Sequence, residues 1–508
     1  MSGPPIARRK TLFGRKSVVV YASLLGGLVL QLVAMLVLTR LYTPDVYGEI
    51  TWTMSFVAIF DCIANLGLNN AHIKRVSEGK DLADCVSTFT TLKLLLTAVM
   101  AGVVLLSTFT FITITGHALT TQALSLIIVF LVYQIMYDMV NIALLTFAGR
   151  EQMAKGSLVT LLDPMVRIPF IFILAFGGAG VVELALTYVI GSGLVLIVGL
   201  YLWKRERVQW KRPTLFHSYF SFAAPAAVVV IMEYVSGNID KLLVGGAGTP
   251  DQVAFYSSAK YLMSGLGALG VAVYLNSFPS FSRKRSEGKN AELATITSMI
   301  ERYVSFIATP AVIVLILFPE PLAVFLFSTS YAPAAEVIRY LSIATLVVIL
   351  NQVYLARIMA MDKAKVSALL LTTDLVCSLS LIVLLISTGW AGPPYIAAAV
   401  ALAITAFVTM GLTRVAVRAL SREAMNWRML IHAAAAVGTL LLLAGLSQVF
   451  NVNGFGMFLV FLALSYLVFE GLMLIIKELR RSDIDYLMQA ANLKGILHYV
   501  AAEFKREK

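Results

Sequence analysis

Several charged side chains stand inside the long apolar runs of this chain, and their types and spacing could do chemistry. Asp240 and Lys241 sit side by side in SGNIDKLLVGG (236–246), and Lys260 follows in YSSAKYLM. Arg167 comes four residues after Asp163, while Asp61, Asp138 and Asp374 lie in mostly apolar surroundings. Charge placed in hydrocarbon is costly and marks a substrate or ion path by default. Two chemistries are open. Lysine and arginine facing a cavity would attract an anionic head group, and an arginine fork suits phosphate. A buried carboxyl would take a proton or a sodium ion. Against both stands a purely structural use, the buried ion pair.

Spacing narrows these options. Gly237, Asp240 and Val244 follow Glu233 at steps that keep all four on one helical face, a polar and small stripe suited to a cavity wall. Lys241 lies about 100° further round, so it cannot pair well with Asp240 inside the helix. Asp240 can instead meet Lys260 across helices, or Lys260 and Lys241 can both face a central cavity and bind substrate. Asp163 and Arg167, in the favourable acid-then-base order, form either a self-neutralising pair or, when that pair opens, a phosphate ligand in Arg167. Arg40 near the outer end of the first run, and Arg302 and Lys93 near inner ends, can snorkel to the interface; Arg40 and Arg302 are also candidates for substrate binding. Arg339, one turn after Glu336, reads as structural. Asp61 and Asp138 lack a local cation, and Asn65 and Asn141 share their helix faces. Each is either an ion-coupling site or a lone acid hydrogen-bonded to neighbouring helices.

The elements that position these groups follow from composition. The chain has 508 residues, 59% hydrophobic and 13% charged, with mean hydropathy +0.85. Soluble domains carry about 25% charged residues, so this is the pattern of a polytopic membrane protein. A span needs about 20 apolar residues. Fourteen candidates satisfy this: 17–39, 46–71, 91–114, 121–148, 156–176, 181–203, 217–246, 252–280, 296–318, 332–356, 365–387, 394–413, 429–449 and 454–476. The first follows a basic N-terminus without a small-residue cleavage site and is expected to be retained. With that terminus in the cytoplasm, 33 of the 40 Lys and Arg fall on inner segments and only Arg40 on an outer one. That asymmetry places both termini on the cytoplasmic side of the cytoplasmic membrane. It also accounts for the net charge of +12 without nucleic acid as a partner.

Catalytic and metal chemistry find little support. Cys62, Cys85 and Cys377 lie far apart, without a CxxC pattern, and the five histidines are scattered. HExxH and GxxxxGK[ST] are both absent. The expectation is a transporter without cofactor or metal, not an enzyme, driven by an ion gradient or by the gradient of its substrate.

The chain also repeats itself. TPDVYGE…SEGK (43–80) recurs as TPDQVAFYSS…SEGK (249–289), FGGAG (176–180) answers TGWAG (388–392), and Asp163 answers Asp374, at offsets of 206 to 212. The offset equals six spans, an even number, so the halves are parallel repeats. The fold expected is therefore all-α and integral to the membrane. It has about 14 transmembrane helices: two six-helix lobes around a central cavity, plus two extra C-terminal helices. The expected boundaries are 1–203 for the N-terminal lobe, 204–216 for a basic cytoplasmic linker, 217–420 for the C-terminal lobe, 421–481 for spans 13 and 14, and 482–508 for an amphipathic cytoplasmic tail.

LTRLYTPDVYGEI, IANLGLNNAHIKRVSEGK, FAAPAAVVVIMEYVSGNIDKLLVGG, VAFYSSAKYLM and NSFPSFSRKRSEGK resemble the recurring signatures of the Wzx-type polysaccharide flippases. These belong to the multidrug/oligosaccharidyl-lipid/polysaccharide (MOP) superfamily, with the MATE exporters and lipid II flippases. The likeness runs over nearly the whole chain. It implies alternating-access transport of a polyprenyl-diphosphate-linked oligosaccharide from the inner to the outer leaflet, and Asp61 or Asp138 as an ion-coupling site would tie that transport to H+ or Na+. Lys260 and Arg40 match basic positions that in the lipid II flippases serve the substrate. Further partners implied are membrane lipids, a glycan polymerase or ligase, and a polyprenyl tail lodged by spans 13 and 14. The competing possibilities are a MATE-like ion-coupled exporter of small molecules and a non-transporting scaffold. Embedded Lys and Arg disfavour the exporter, because cationic drugs prefer an acidic cavity.

Overall fold

In the computed structural model the described residues are 26–115, 120–150, 152–206, 208–421, 428–450, 452 and 454–479. Among them every regular element is helical. In chain order these are α1 (Gly26–Leu41), α2 (Pro44–Asn65), α3 (Leu68–Ser77), α4 (Leu82–Thr115), α5 (Thr121–Gly149), α6 (Met153–Phe176), α7 (Val181–Arg205), α8 (Phe216–Ala247), α9 (Pro250–Ser286), α10 (Asn290–Leu317), α11 (Pro319–Leu326), α12 (Ala334–Ala360), α13 (Ala364–Thr388), α14 (Pro394–Ser421), α15 (Arg428–Ser447) and α16 (Phe455–Ile475). A 3-10 turn at Thr329–Tyr331 follows α11. Twelve of these helices are long and apolar enough to cross a membrane. With α1 and α6 at the first and fifth expected positions, every expected span meets a helix. The protein is an all-α, multi-pass membrane protein. The expected start of span 1 and the amphipathic tail lie outside the described residues.

Local chemistry explains where the helices begin and break. Thr120 caps α5, its hydroxyl accepting from the Ala123 amide, and Pro250 opens α9, where a missing N–H costs nothing. The span expected at 46–71 is instead two helices. Leu66 (φ +36°) and Gly67 (φ +79°) turn left-handed between α2 and α3, a conformation that glycine takes freely. A Cβ on Gly67 would also lie 2.7 Å from the Ala223 carbonyl of α8, so only glycine lets the break press against that helix. After α10, Pro319 starts the short α11, which hydropathy alone does not separate from its neighbours. Several helices outrun their apolar cores. The outer turns of α4 and α9 carry Asp84 and Arg283–Arg285, which are at home in water.

The described helices fall into two compact units, one of residues 26–42 and 49–239 and the other of 43–48 and 240–479. In the first, α5 packs against α3, α4, α6 and α7, and α6 against α7. In the second, α12 packs against α9, α10, α13 and α14, and α13 against α14. With α4, α5, α6 and α7 matched to α10, α12, α13 and α14, the pairings recur, as a repeat requires. The TPD motifs at the starts of α2 and α9 meet within the second unit. A Cβ on Gly48 would fall 1.7 Å from the Pro250 carbonyl.

Candidate functional site

In the first unit the charges form a sealed cluster. Lys93 on α4 and Asp138 on α5 are both fully buried and pair at 2.6 Å. The Lys93 ammonium also donates to Asn65 Oδ1 at 2.8 Å and to the Ala64 carbonyl at 3.2 Å. It therefore holds the C-terminal end of α2, where helix carbonyls lack partners. Thr97 donates to Asp138 Oδ2 at 3.0 Å. Asn65 Nδ2 donates to Asp61 Oδ2 at 2.7 Å and to the Tyr234 hydroxyl at 2.5 Å. Two expectations are corrected here. Lys93 does not snorkel, because a carboxylate, an amide oxygen and a carbonyl await it inside. Asp138 does have a cation, supplied by a neighbouring helix, and helical spacing within one segment cannot reveal that.

Arg167, almost fully buried, lies 3.4 Å from Asp163 and stacks 4.1 Å from the centre of the Tyr188 ring. A cavity of about 350 Å³ adjoins the pair, lined by Gln31, Tyr133, Tyr137, Asp163 and Ser192 among others.

The second unit arranges its charges around open space. Asp240, at the end of α8, is buried and accepts from Lys260 on α9, from the Tyr256 hydroxyl at 2.6 Å and from the Lys241 amide at 2.9 Å. Lys260 keeps 32% of its side chain exposed. It lines a cavity of about 270 Å³ with Ser264, Thr345, Thr405 and Asp374. Asp374 accepts from Thr409 at 2.7 Å. Each unit thus has a cavity lined by one of the two repeat-related aspartates, Asp163 or Asp374.

Lys241 adjoins the Asp240–Lys260 pair, its amide donating to Asp240, and the other expected residues have their own surroundings. Arg40 is exposed near the end of α1, and Arg302 is half-buried, 5.4 Å from the Tyr303 ring centre. Lys241 is half-buried. Of the stripe on α8, Asp240 and Val244 are buried whereas Glu233 and Gly237 are exposed. Arg339 chelates Glu336 at 2.8 Å and donates to the Ile316 carbonyl. One charged cluster is not singled out by the sequence: buried Glu301 on α10 pairs with Arg414 on α14 and accepts from Tyr354 on α12 at 2.6 Å. Arg414 lies beyond the apolar stretch of span 12, so hydropathy assigns it to a loop. Its distance of 113 residues from Glu301 hides the pairing.

Solved structures share this architecture. The lipid II flippase MurJ, in an inward closed conformation, superposes with a TM-score of 0.72 at 14% identity, covering 91% of this chain and 99% of that one. An inward-facing multidrug resistance MATE family transporter of the MOP superfamily gives 0.63 at 16% identity, covering 78% and 96%. A MOP superfamily transporter from Pyrococcus furiosus gives 0.52 at 15% identity, covering 81% and 96%. The fold is that of the MOP superfamily. The model of a family described as polysaccharide biosynthesis protein matches residues 37–336, more than half of the chain, and the chain belongs to that family. No curated protein matches the sequence.

Proposed function

We propose that the protein is a flippase that carries a lipid-diphosphate-linked oligosaccharide from the inner to the outer leaflet of the cytoplasmic membrane by alternating access. The observation that carries this is a polysaccharide-biosynthesis family match in a chain whose fold follows a lipid II flippase along nearly the whole length of both. The charge geometry is consistent with it. Asp240 steadies the Lys260 ammonium on a cavity wall, where its exposed part can meet phosphate oxygens. Arg167 would join when its pair with Asp163 opens. A diphosphate entering such a site loses water, and cations already oriented by neighbours replace that hydration. Energy would come from an ion gradient or from the carrier-lipid gradient.

The test is movement of radiolabelled polyprenyl-diphosphate sugars in proteoliposomes, with Lys260→Ala and Arg167→Ala beside the parent. Slower movement in at least one variant is expected, and unchanged rates in both would overturn the cationic site. No movement of any such lipid, together with ion-coupled efflux of small cations, would favour an exporter of the MATE kind.

A further inference from the structure

The cavity beside Asp163 differs in chemistry from the one beside Lys260. Gln31 on α1, Tyr133 and Tyr137 on α5, Asp163 on α6 and Ser192 on α7 supply its polar wall, over an apolar floor. Its one charged lining residue, Asp163, is already neutralised by Arg167 at 3.4 Å. With that pair closed, the cavity offers no net attraction to an anion or to a cation. The Lys260 cavity, by contrast, has a cation and no aromatic ring among its described lining residues.

Tyr133 and Tyr137 are one turn apart and share a side of α5, with ring centres 6.2 Å apart. Tyr133 is held by T-shaped contacts to Tyr188 at 5.6 Å and Phe130 at 6.4 Å. Tyr188 is fixed in turn by the Arg167 guanidinium. Tyr137 is left 39% exposed. The hydroxyls of both lining tyrosines and the Gln31 amide have no hydrogen-bond partner among the described residues. Ser192 already donates to the Val189 carbonyl, which leaves its oxygen to accept. Asp163 keeps 17% of its side chain open, and its Oδ1 lies so near α7 that a Cβ on Gly191 would come within 2.4 Å. The wall is therefore uncharged overall, rich in both donors and acceptors, and aromatic. A sugar ring answers each property. Its hydroxyls donate and accept, and its apolar C–H face suits the negative face of an aromatic ring. A volume of about 350 Å³ is at the small end of the range for ligand pockets, about 300–1,000 Å³, which suits one sugar unit and not a long glycan.

We propose that this cavity is a sugar subsite that takes one uncharged pyranose unit, with Tyr137 as the stacking platform and Gln31, Tyr133 and Asp163 as partners for its hydroxyls. That the sugar arrives on a lipid diphosphate rests on the proposed function; the chemistry of the cavity does not. Selection among glycans then falls to this cavity, because a diphosphate is the same whatever sugar it carries.

Saturation-transfer NMR of the protein in lipid nanodiscs reads the site without lipid carrier or phosphate. The probes are the methyl glycosides of a hexose, a deoxyhexose and an N-acetylhexosamine. Transfer to the ring C–H protons of at least one is expected in the parent. It should fall about threefold to tenfold in Tyr137→Ala, the worth of one aromatic stacking contact, and be retained in Tyr137→Phe. Gln31→Ala, which changes an exposed side chain, should weaken it too and reads the site should Tyr137→Ala fail to fold. Transfer to none of the probes, transfer unchanged in the alanine variants, or displacement by inorganic pyrophosphate would overturn the proposal. Proteoliposomes separate this from the carrier reading. The parent is expected to move a glycosylated polyprenyl diphosphate in preference to the unglycosylated one, and Tyr137→Ala to narrow that preference. A preference equal to the parent's would also overturn the subsite. If neither lipid moves in the parent, the flippase reading fails, and the glycoside spectra still decide the cavity.

Discussion

The two units contain comparable charges in opposite settings. The Lys93–Asp138 pair of the first is fully buried and roofed by Thr97, Asn65 and the end of α2. The Asp240–Lys260 pair of the second keeps only its acid buried and opens its lysine onto a cavity shared with Asp374. A sealed pair can hold helices in place and set their charge balance. An open one can exchange partners with something that enters. Under the proposed function, the sealed pair would serve structure, and the open Lys260, with Arg167 of the first unit, anion recognition.

Breaking the sealed pair should have the largest effect on stability. Lys93→Met leaves Asp138 buried and unpaired, and its melting in lipid or detergent should fall as expected for about 3–5 kcal/mol. The double variant Lys93→Met with Asp138→Leu should recover much of that. A single variant as stable as the parent would mean the pair is not sealed. Gly48→Val forces a side chain against the Pro250 carbonyl and should cost about 1–3 kcal/mol, a local strain without a charge. Lys260→Ala should move the melting curve less than Lys93→Met, since Asp240 keeps the Tyr256 hydroxyl and the Lys241 amide as donors. It should slow lipid movement about tenfold, or about 1.4 kcal/mol. Comparable unfolding of the Lys260 and Lys93 variants would erase the contrast between the units.

The smallest effect belongs to the surface at the end of α7. Lys155, then Arg150, hold the Glu206 carboxyl below its usual range by hydrogen bonding and charge. A depressed acid contributes stability above its unfolded value of about 4.3, and that contribution fades as the pH falls through the lower folded value. Glu206→Gln should therefore lower melting slightly at neutral pH and converge with the parent below about pH 4, which flattens the acid limb of the melting-versus-pH curve.

Much of this fold is legible in the sequence because hydrocarbon imposes a simple rule on length and polarity. All fourteen expected spans correspond to helices, and Asp163 and Asp374 line cavities in their own units. The break at Gly67 is harder to read, since its cause is the Ala223 carbonyl of a helix far along the chain. The partners of charges are harder still. The Asp163–Arg167 pair is visible because one helix carries both. Lys93 looks like a snorkelling residue until the ends of α2 and the middle of α5 are placed beside it, and the Glu301–Arg414 pair joins two helices that no spacing connects. Periodicity describes one helix at a time, and charge neutralisation here is mostly between helices.

The central claim is tested most directly by following one lipid across one bilayer. Proteoliposomes containing the parent protein, loaded with a labelled polyprenyl-diphosphate oligosaccharide, would be probed for label accessible on each face over time. The account predicts net movement above protein-free vesicles, weakened when the diphosphate is replaced by an uncharged linkage. Equal movement of the charged and uncharged lipids, or none beyond the protein-free rate, would contradict it.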